Sequence, residues 1–477
     1  MLPSNFTAAT VADLIADINA ANAAGGTNTI TLTAPTNSAY VITAADNTTN
    51  GANGLPVISG GRHHLAADNL TIIGNGDTIE RSTGSGTSAF RLFDLASGAS
   101  LTLENLTLQN GLAFGSGSAA EGGAIYNQGT LILSGATVQN NEAEGSNGAN
   151  ARQKNGGTGQ DAAGGGIWSS GSLTLENGTM VQNNTALGGN GGNSLQSHGG
   201  NGGVAFGGGV DIAGGAGNIA GGTLSGNVAQ GGNGGSGVPG GGFGNYYANY
   251  GYAAPGIGGG VSVASGTVQL TGATVNSNYA NGGVRPIVRS SIGNGGGIWV
   301  GDGTVTLSGD TVDSNFGGYA LYGDSGGGVY VAGGTVNLSN DTLDSNTSHF
   351  GGGLYVGGGT VSLSGDTVDS NTAFGQGGGV YVGGGTVNLS SDTVNSNVAG
   401  QSGGGLYIAG GSTVTFCNDT VAFNSVSEFT GGGMYIESGT TVYIDSFTVA
   451  NTINNTDSFG LNGSFANIVG PYTLSNC

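Results

Sequence analysis

The sequence predicts an all-β fold: a right-handed parallel β-helix, a solenoid with a short N-terminal capping helix and Gly/Asn-rich loop insertions on one side. Three observations predict it. First, a unit of about 25 residues repeats from Gly326 to Asn424: "GGGVYVAGGTVNLSNDTLDSN", "GGGLYVGGGTVSLSGDTVDSN", "GGGVYVGGGTVNLSSDTVNSN" and "GGGLYIAGGSTVTFCNDTVAFN". Repeats of this length belong to stacked architectures in which one unit is too small to bury its own core. Second, each repeat holds three short apolar alternations bounded by Gly, Asn and Asp, which read as short strands and not as helices. Third, the pattern is repeated and never mirrored, so each strand pairs in parallel with its counterpart one coil on, about 4.8 Å away.

In chain order, residues 1–27 form an N-terminal cap. Within it "TVADLIADINAANAA" is a helix that Thr10 can N-cap, with Val11, Leu14, Ile15 and Ile18 on one face. Covering the open end of the solenoid is its natural place, since a bare strand edge invites aggregation. Residues 28–121 read as irregular first coils, with strands in "TITL", "YVIT", "LTIIGNGDTIE", "FRLFDL" and "SLTLENLTLQNG". Coils with long loop insertions follow over 122–325, regular coils over 326–444, and a C-terminal coil or tail over 445–477. The whole makes about thirteen coils, roughly 60 Å of stacking at the strand spacing.

Two columns hold the register. An aliphatic residue follows the glycines at Ile125, Ile167, Val210, Val261, Ile298, Val329, Leu354, Val380, Leu406 and Met434. A closing asparagine recurs at Asn141, Asn184, Asn227 and Asn278, then at Asn315, Asn346, Asn371, Asn397 and Asn424, where stacked amides can hydrogen-bond along the column. The aliphatic column is spaced 42, 43, 51, 37, 31, 25, 26, 26 and 28 residues apart. The surplus always falls between the asparagine and the next glycines, at 142–163, 185–206, 228–257, 279–294 and 316–325. These loops therefore leave one corner and lie side by side as a lobe. They carry Arg152, Lys154, His198, Arg285, Arg289 and the tyrosines Tyr246, Tyr247, Tyr250 and Tyr252. Insertions on one face of a solenoid often mark a binding surface; tolerated padding is the other reading.

Composition narrows the function. Seven Lys+Arg stand against 28 Asp+Glu, a formal net charge of −21, which argues against nucleic acid or an anionic membrane surface as a partner. No apolar run is long enough for a transmembrane segment, and Met1-Leu2-Pro3 opens no recognisable signal peptide, so export implies a removed leader or another route. Cys417 and Cys477 are a possible disulfide suited to an oxidising compartment; two buried thiols that never meet are the alternative.

The glycine tetrapeptides, "GGAI" at Gly122–Ile125 and its variants in later coils, together with Val/Leu-x-x-Asn closing each third strand, resemble the polymorphic outer-membrane protein repeat, which pairs a GGAI-type tetrapeptide with Phe-x-x-Asn. The N-terminal stretch "LTIIGNGDTIERS…FRLFDLASGASLTLENLTLQNG" is similar to bacterial secreted β-helix proteins that carry exchangeable cell-surface anchors. The resemblance implies a secreted, extracellular or cell-surface adhesin-like or structural protein. Val or Leu stands where that motif has phenylalanine, and no autotransporter barrel or sorting segment follows Cys477.

Three sets of side chains are candidates for chemistry. Aspartates form one column at Asp310, Asp341, Asp366, Asp392 and Asp419 and a second at Asp313, Asp344 and Asp369. Stacked carboxylates can recruit a bridging cation, which makes Asp310, Asp313, Asp341, Asp344, Asp366 and Asp369 weak Ca²⁺ candidates; solvated turn residues are the plainer reading. "GGTGQDAAG" from Gly156 is a lone copy of a Ca²⁺-binding nonapeptide pattern, and His63-His64 near Asp68 has no metal-site spacing. An aromatic ladder of Tyr126, Trp168, Trp299, Tyr330, Tyr355, Tyr381, Tyr407 and Tyr435 alternates outward. It can bind glycan, bury against another copy, or simply hold neighbouring coils together.

Catalysis is disfavoured because a catalytic site breaks a repeat, whereas these residues constitute it. No Lys or Arg accompanies the aspartate columns to serve as a base for a lyase. The expected function is non-enzymatic, structural or adhesive, with self-association (a filament or lateral contacts) or a surface glycan or protein as partner. A polysaccharide-binding or polysaccharide-degrading protein, with Arg285 and Arg289 in the loop lobe, is the alternative.

Overall fold

The computed structural model describes residues 4–35, 39–61, 68–238, 249–285, 293–318, 323–457 and 464–477. Tyr246, Tyr247, Arg289, His63 and His64 lie outside them. The chain divides into two compact units, Met1–Ala254 with Gly283–Val288, and Pro255–Gly282 with Arg289–Cys477. Each is a stack of parallel strands, as the repeat predicts.

In the second unit the main sheet runs from Thr267–Thr271 through one strand per coil to Thr473–Ser475, every pairing parallel and in like-for-like register. Val305 stands on Val336, Val361, Val387 and Val414, while Leu307 stands on Leu338, Leu363, Leu389 and Phe416. These inward positions are all buried, and the alternate Thr, Asn and Ser face outward. A second sheet stacks Thr274–Asn276 to Thr452–Ile453 and a third Val261–Val263 to Ile468–Val469. Period-two alternation has thus put one aliphatic stripe of each sheet into a shared core.

The glycine triplet at each corner has three separate causes. Gly326 has φ +67°, a conformation that L side chains resist. A Cβ on Gly327 would lie 2.5 Å from the Gly352 carbonyl oxygen, so the coils could not approach. A Cβ on Gly328 would lie 2.9 Å from the Asn346 amide nitrogen, inside the asparagine column.

In the first unit the equivalent main sheet runs from Ser4–Ala8 through Gly26–Leu32 and Asp68–Ile73 to Ala216–Ala220. Helix Val11–Ala24 packs on its first strands. Thr10 caps the helix, and Asp13 returns the bond to complete a capping box. Leu14, Ile18 and Ala21 are its buried face. Val11 and Ile15, expected on that face, are only half-buried, because the strip in contact is one residue wide per turn and Ala21 extends it.

The insertions in this unit leave one corner and lie side by side. At their root the core narrows to alanine: Ala113, Ala143, Ala186 and Ala229 face Ala120, Ala162 and Ala205. Beyond, it narrows to glycine. Threads running out (145–151, 188–194, 231–238) alternate with threads running back (156–163, 199–206, 249–255). Gly148 and Ala151 donate to the carbonyls of Asn190 and Asn193; Gly156, Gly159 and Ala162 donate to those of His198, Asn201 and Val204. Bonding every third residue is the period of a polyproline II helix, not of a strand. In "GGNGGN" from Gly188 the glycines 188, 189 and 192 are buried while Asn190 and Asn193 are exposed. A Cβ on Gly192 would meet the Ala149 carbonyl oxygen at 2.1 Å and one on Gly200 the Gly157 oxygen at 1.8 Å, so only glycine permits this spacing. Among the described residues no helix is long and apolar enough to cross a membrane.

Candidate functional site

The repeating side chains were the sequence's candidates, and the structure divides them by what they already bond. Asn315, Asn346, Asn371, Asn397 and Asn424 form a continuous buried ladder. In the middle of it Asn371 accepts from the Asn346 amide and main-chain N–H at 3.0 and 2.9 Å, and donates to Asn397 at 3.0 Å and to the Leu343 carbonyl at 2.9 Å. The ladder continues into Asn455 and Asn467, which the repeat pattern did not reach.

The first aspartate column is not a row of solvated turn residues. Asp310, Asp341, Asp366, Asp392 and Asp419 are each about 1 % exposed or less. Asp341 accepts the Asp310 main-chain N–H on Oδ1 (2.7 Å) and that of Ser339 on Oδ2 (2.8 Å). Asp366 repeats both bonds, to Asp341 and Ser364, and Asp392 likewise to Asp366 and Ser390. Each aspartate therefore closes its own turn and ties it to the coil before. Burial pushes Asp366 and Asp392 up to about 7, and Asp310 and Asp419 up to about 6, against the pull of those N–H bonds. Both oxygens of Asp341, Asp366 and Asp392 thus already accept a main-chain N–H, so these carboxylates serve the turn itself.

The second column is outside. Asp313, Asp344 and Asp369 stand in register, half-exposed. Asp344 is raised by burial and then by the neighbouring carboxylates of Asp313 and Asp369. Ser314 and Ser370 hydroxyls donate to Asp313 and Asp369, and the Asn395 amide to Asp369. Among the described residues no group of three or more His, Cys, Asp or Glu side chains converges to hold a metal ion. The nonapeptide from Gly156 lies in a returning thread of the lobe, where Gly156 and Gly159 face the carbonyls of Gly192 and Gly189.

The aromatic ladder is stacked but not presented. Tyr330, Tyr355, Tyr381, Tyr407 and Tyr435 follow at centroid spacings of 4.9, 5.0, 5.1 and 5.2 Å, within 8° of parallel. The inner rings have both faces covered, so they offer solvent an edge and a hydroxyl, and no flat face for a sugar ring. The rings lie over the turn: a Cβ on Gly383 would stand 3.1 Å from both Tyr355 Oη and Tyr381 Cε1. Tyr407 is 4 % exposed and donates its hydroxyl to Glu437. Trp299 joins the column in register with Tyr330. In the first unit Tyr126 stacks on Trp168 at 4.5 Å, with the Arg91 guanidinium 4.9 Å from the same ring. Register puts Asp94, Asp211 and Ser262 in this column too, so it is not aromatic throughout.

Arg91 and Asp94 stand in the irregular first coils, where no repeat in the sequence marks them. Arg91 is 5 % exposed and donates to the Asn50 carbonyl (2.7 Å), and buried Asp94 accepts from Asn50 and Asn53. Arg81 likewise donates to the carbonyls of Asn110, Ser82 and Ser88. Both are structural cations. Arg285 lies 4.5 Å over the Tyr252 ring, and its guanidinium donates to the Tyr250 carbonyl. Arg152 and Lys154 are exposed at the turn of the first long loop.

Cys417 and Cys477 form a disulfide. It fastens the end of the chain to the strand Thr413–Cys417 and so holds the last strand, Thr473–Ser475, in place. A recess beside the N-terminal helix is lined by Asn22, Val57 and Ser59, with the Asn22 amide already bonded to Val57 and Ser59. In comparisons with family models, curated proteins and solved structures, nothing matches this chain.

Proposed function

We propose that this chain is a non-enzymatic extracellular or cell-surface protein, structural or adhesive. The observation that carries the proposal is the repetition of one bonding scheme through the buried acidic column. The same pair of main-chain bonds on an aspartate in successive coils is the mark of a structural residue, whereas a catalytic site would be a departure from the repeat. The disulfide supports an oxidising compartment, where such bonds form and persist. The ordered polar faces of the coils, with a formal charge of −21 on the whole chain, suit a protein that stays soluble outside the cell.

Immunolabelling of intact, unpermeabilised cells tests the location, combined with thiol titration of the native protein. The expected outcome is surface or medium staining with Cys417 and Cys477 oxidised; a reduced, intracellular protein defeats the proposal. Incubation with a panel of polysaccharides tests the absence of catalysis, and release of reducing ends or unsaturated uronates overturns it. Electron microscopy over a concentration range separates single particles from filaments, and so a lone adhesin from a self-assembling one.

A further inference from the structure

Two recesses, of about 470 and 430 Å³, lie together at the tip of the loop lobe, and Arg152 lines both. The first adds Gln153, Lys154 and Gln196; the second adds Asn150, Asn193 and Leu195. We infer that this tip is a binding site for a carboxylate-bearing polysaccharide, with Arg152 and Lys154 taking the carboxylates and the amides taking sugar hydroxyls. The inference rests on the adhesive reading and gives it a place and a ligand class.

The charge distribution is the first argument. Of seven basic residues, Arg81 and Arg91 are engaged by carbonyls and Arg62 and Arg289 lie outside the described residues. Arg285 is stacked on Tyr252. Arg152 and Lys154 thus place exposed positive charge, two residues apart, on a chain of net charge −21. Such a body repels a polyanion over most of its surface, so this tip becomes the place where one can approach. Chemistry is the second argument. The guanidinium fork matches a carboxylate in bidentate geometry, and an ammonium beside it serves as a second point charge. Gln153, Gln196, Asn150 and Asn193 offer both donors and acceptors, as hydroxyls require. Leu195, 70 % exposed, supplies an apolar patch for the CH face of a sugar.

The third argument is that the tip is held in shape. Ala151 donates its main-chain N–H to Asn193 and accepts from Leu195, bridging the first and second loops. The Ser194 hydroxyl, on a residue 5 % exposed, donates to the Lys154 carbonyl at 2.7 Å, and Ser197 donates to Asn155 at 2.6 Å. A turn fixed in this way loses little entropy when a ligand docks.

The test is calorimetric titration of the full chain with alginate oligomers, which carry one carboxylate per sugar, against neutral mannan oligomers of equal length. The expected result is binding of alginate alone, weakening with added salt. Arg152→Gln and Lys154→Gln each reduce affinity roughly tenfold, the loss of one charge-assisted hydrogen bond. Both side chains are exposed, so thermal unfolding should be unchanged and shows that the variants are folded. Absence of alginate binding, equal binding of mannan, or wild-type affinity in the double variant overturns the site. If the double variant instead abolishes association between copies of the chain while alginate never binds, the tip is a protein contact and the inference is wrong. Cleavage of the alginate would refute the non-enzymatic reading and leave the site standing, so the two failures are distinguishable.

Discussion

At Gly352 a Cβ would stand 2.4 Å from the carbonyl oxygen of Gly378 in the next coil. At Gly309 it would meet nothing within 4 Å, although φ there is +66°. The two glycines therefore fail differently on substitution. Gly352→Ala forces neighbouring coils apart and should cost about 3 kcal/mol, the upper range for overpacking. Gly309→Ala carries only the left-handed backbone penalty, about 1 kcal/mol, and Gly309→Asn should be nearly neutral. Equivalent positions already hold Asn340 at φ 56° and Asn418 at φ 61°. Denaturant midpoints of the full-length variants check the order. Asn371 is the polar counterpart: Asn371→Ala removes its four bonds and leaves buried groups on Asn346 and Leu343 without partners, a loss of about 3 kcal/mol by the same measurement. Phe423 is an exception to its column, an exposed aromatic at φ 57° where Ser345, Ser370 and Ser396 precede it. Phe423→Ser should therefore leave stability unchanged or raise it.

At the scale of the element, the aspartate column makes stability depend on pH. Asp310, Asp366, Asp392 and Asp419 titrate at about 6 to 7 in the folded chain, against about 3.9 unfolded. The folded state thus holds more protons in that interval. Their contribution is complete below about pH 4 and is lost as pH rises through 6 to 7. The midpoint of urea unfolding should accordingly be higher near pH 5 than near pH 8. Asp445 has the opposite sense: burial opposes it, but bonds from Thr448, Asn418 and Phe447 hold it low, so it adds nothing to the slope in this window. EDTA should leave the midpoint unchanged at either pH, because the buried column bonds the main chain.

The coils themselves were legible in the sequence because valine, leucine and asparagine recur with the period of the stack. The aspartates were legible as columns but not as buried, since alternation does not tell a turn carboxylate facing in from one facing out. Their identity in every coil, beside neighbours that vary among Gly, Asn and Ser, was the signal available. The lobe was the least legible. Its order resides in glycine, which has no side chain to register as pattern, and the return of Asn at the third residue in "GGNGGN" (Asn190, Asn193) was its trace.

For the whole molecule, the disulfide sets how the chain begins to open. In the chain-entropy account, a link across 60 residues stabilises by about 4 kcal/mol. Reduction or Cys477→Ser should release Thr473–Ser475 first, because among the described residues that strand pairs with Thr441–Asp445 alone. Hydrogen exchange should then rise there and at Thr441–Asp445, with Thr360–Ser364 unchanged; uniform deprotection would mean that the second unit unfolds as one body.

In that unit the surface each coil offers upward is the surface the next accepts from below: valine on valine, asparagine on asparagine, aspartate on aspartate. The number of coils is then a free variable. Excising 351–376, one whole period, joins Phe350 to Gly377 and recreates every junction with an equivalent partner, so the shortened chain should fold. Removing a single residue from the strand Thr360–Ser364 turns its core side chains to solvent and should not be tolerated. Near-identical neighbours also favour unequal recombination, which would let a lineage lengthen or shorten this protein in whole coils while the chemistry of each junction stays the same.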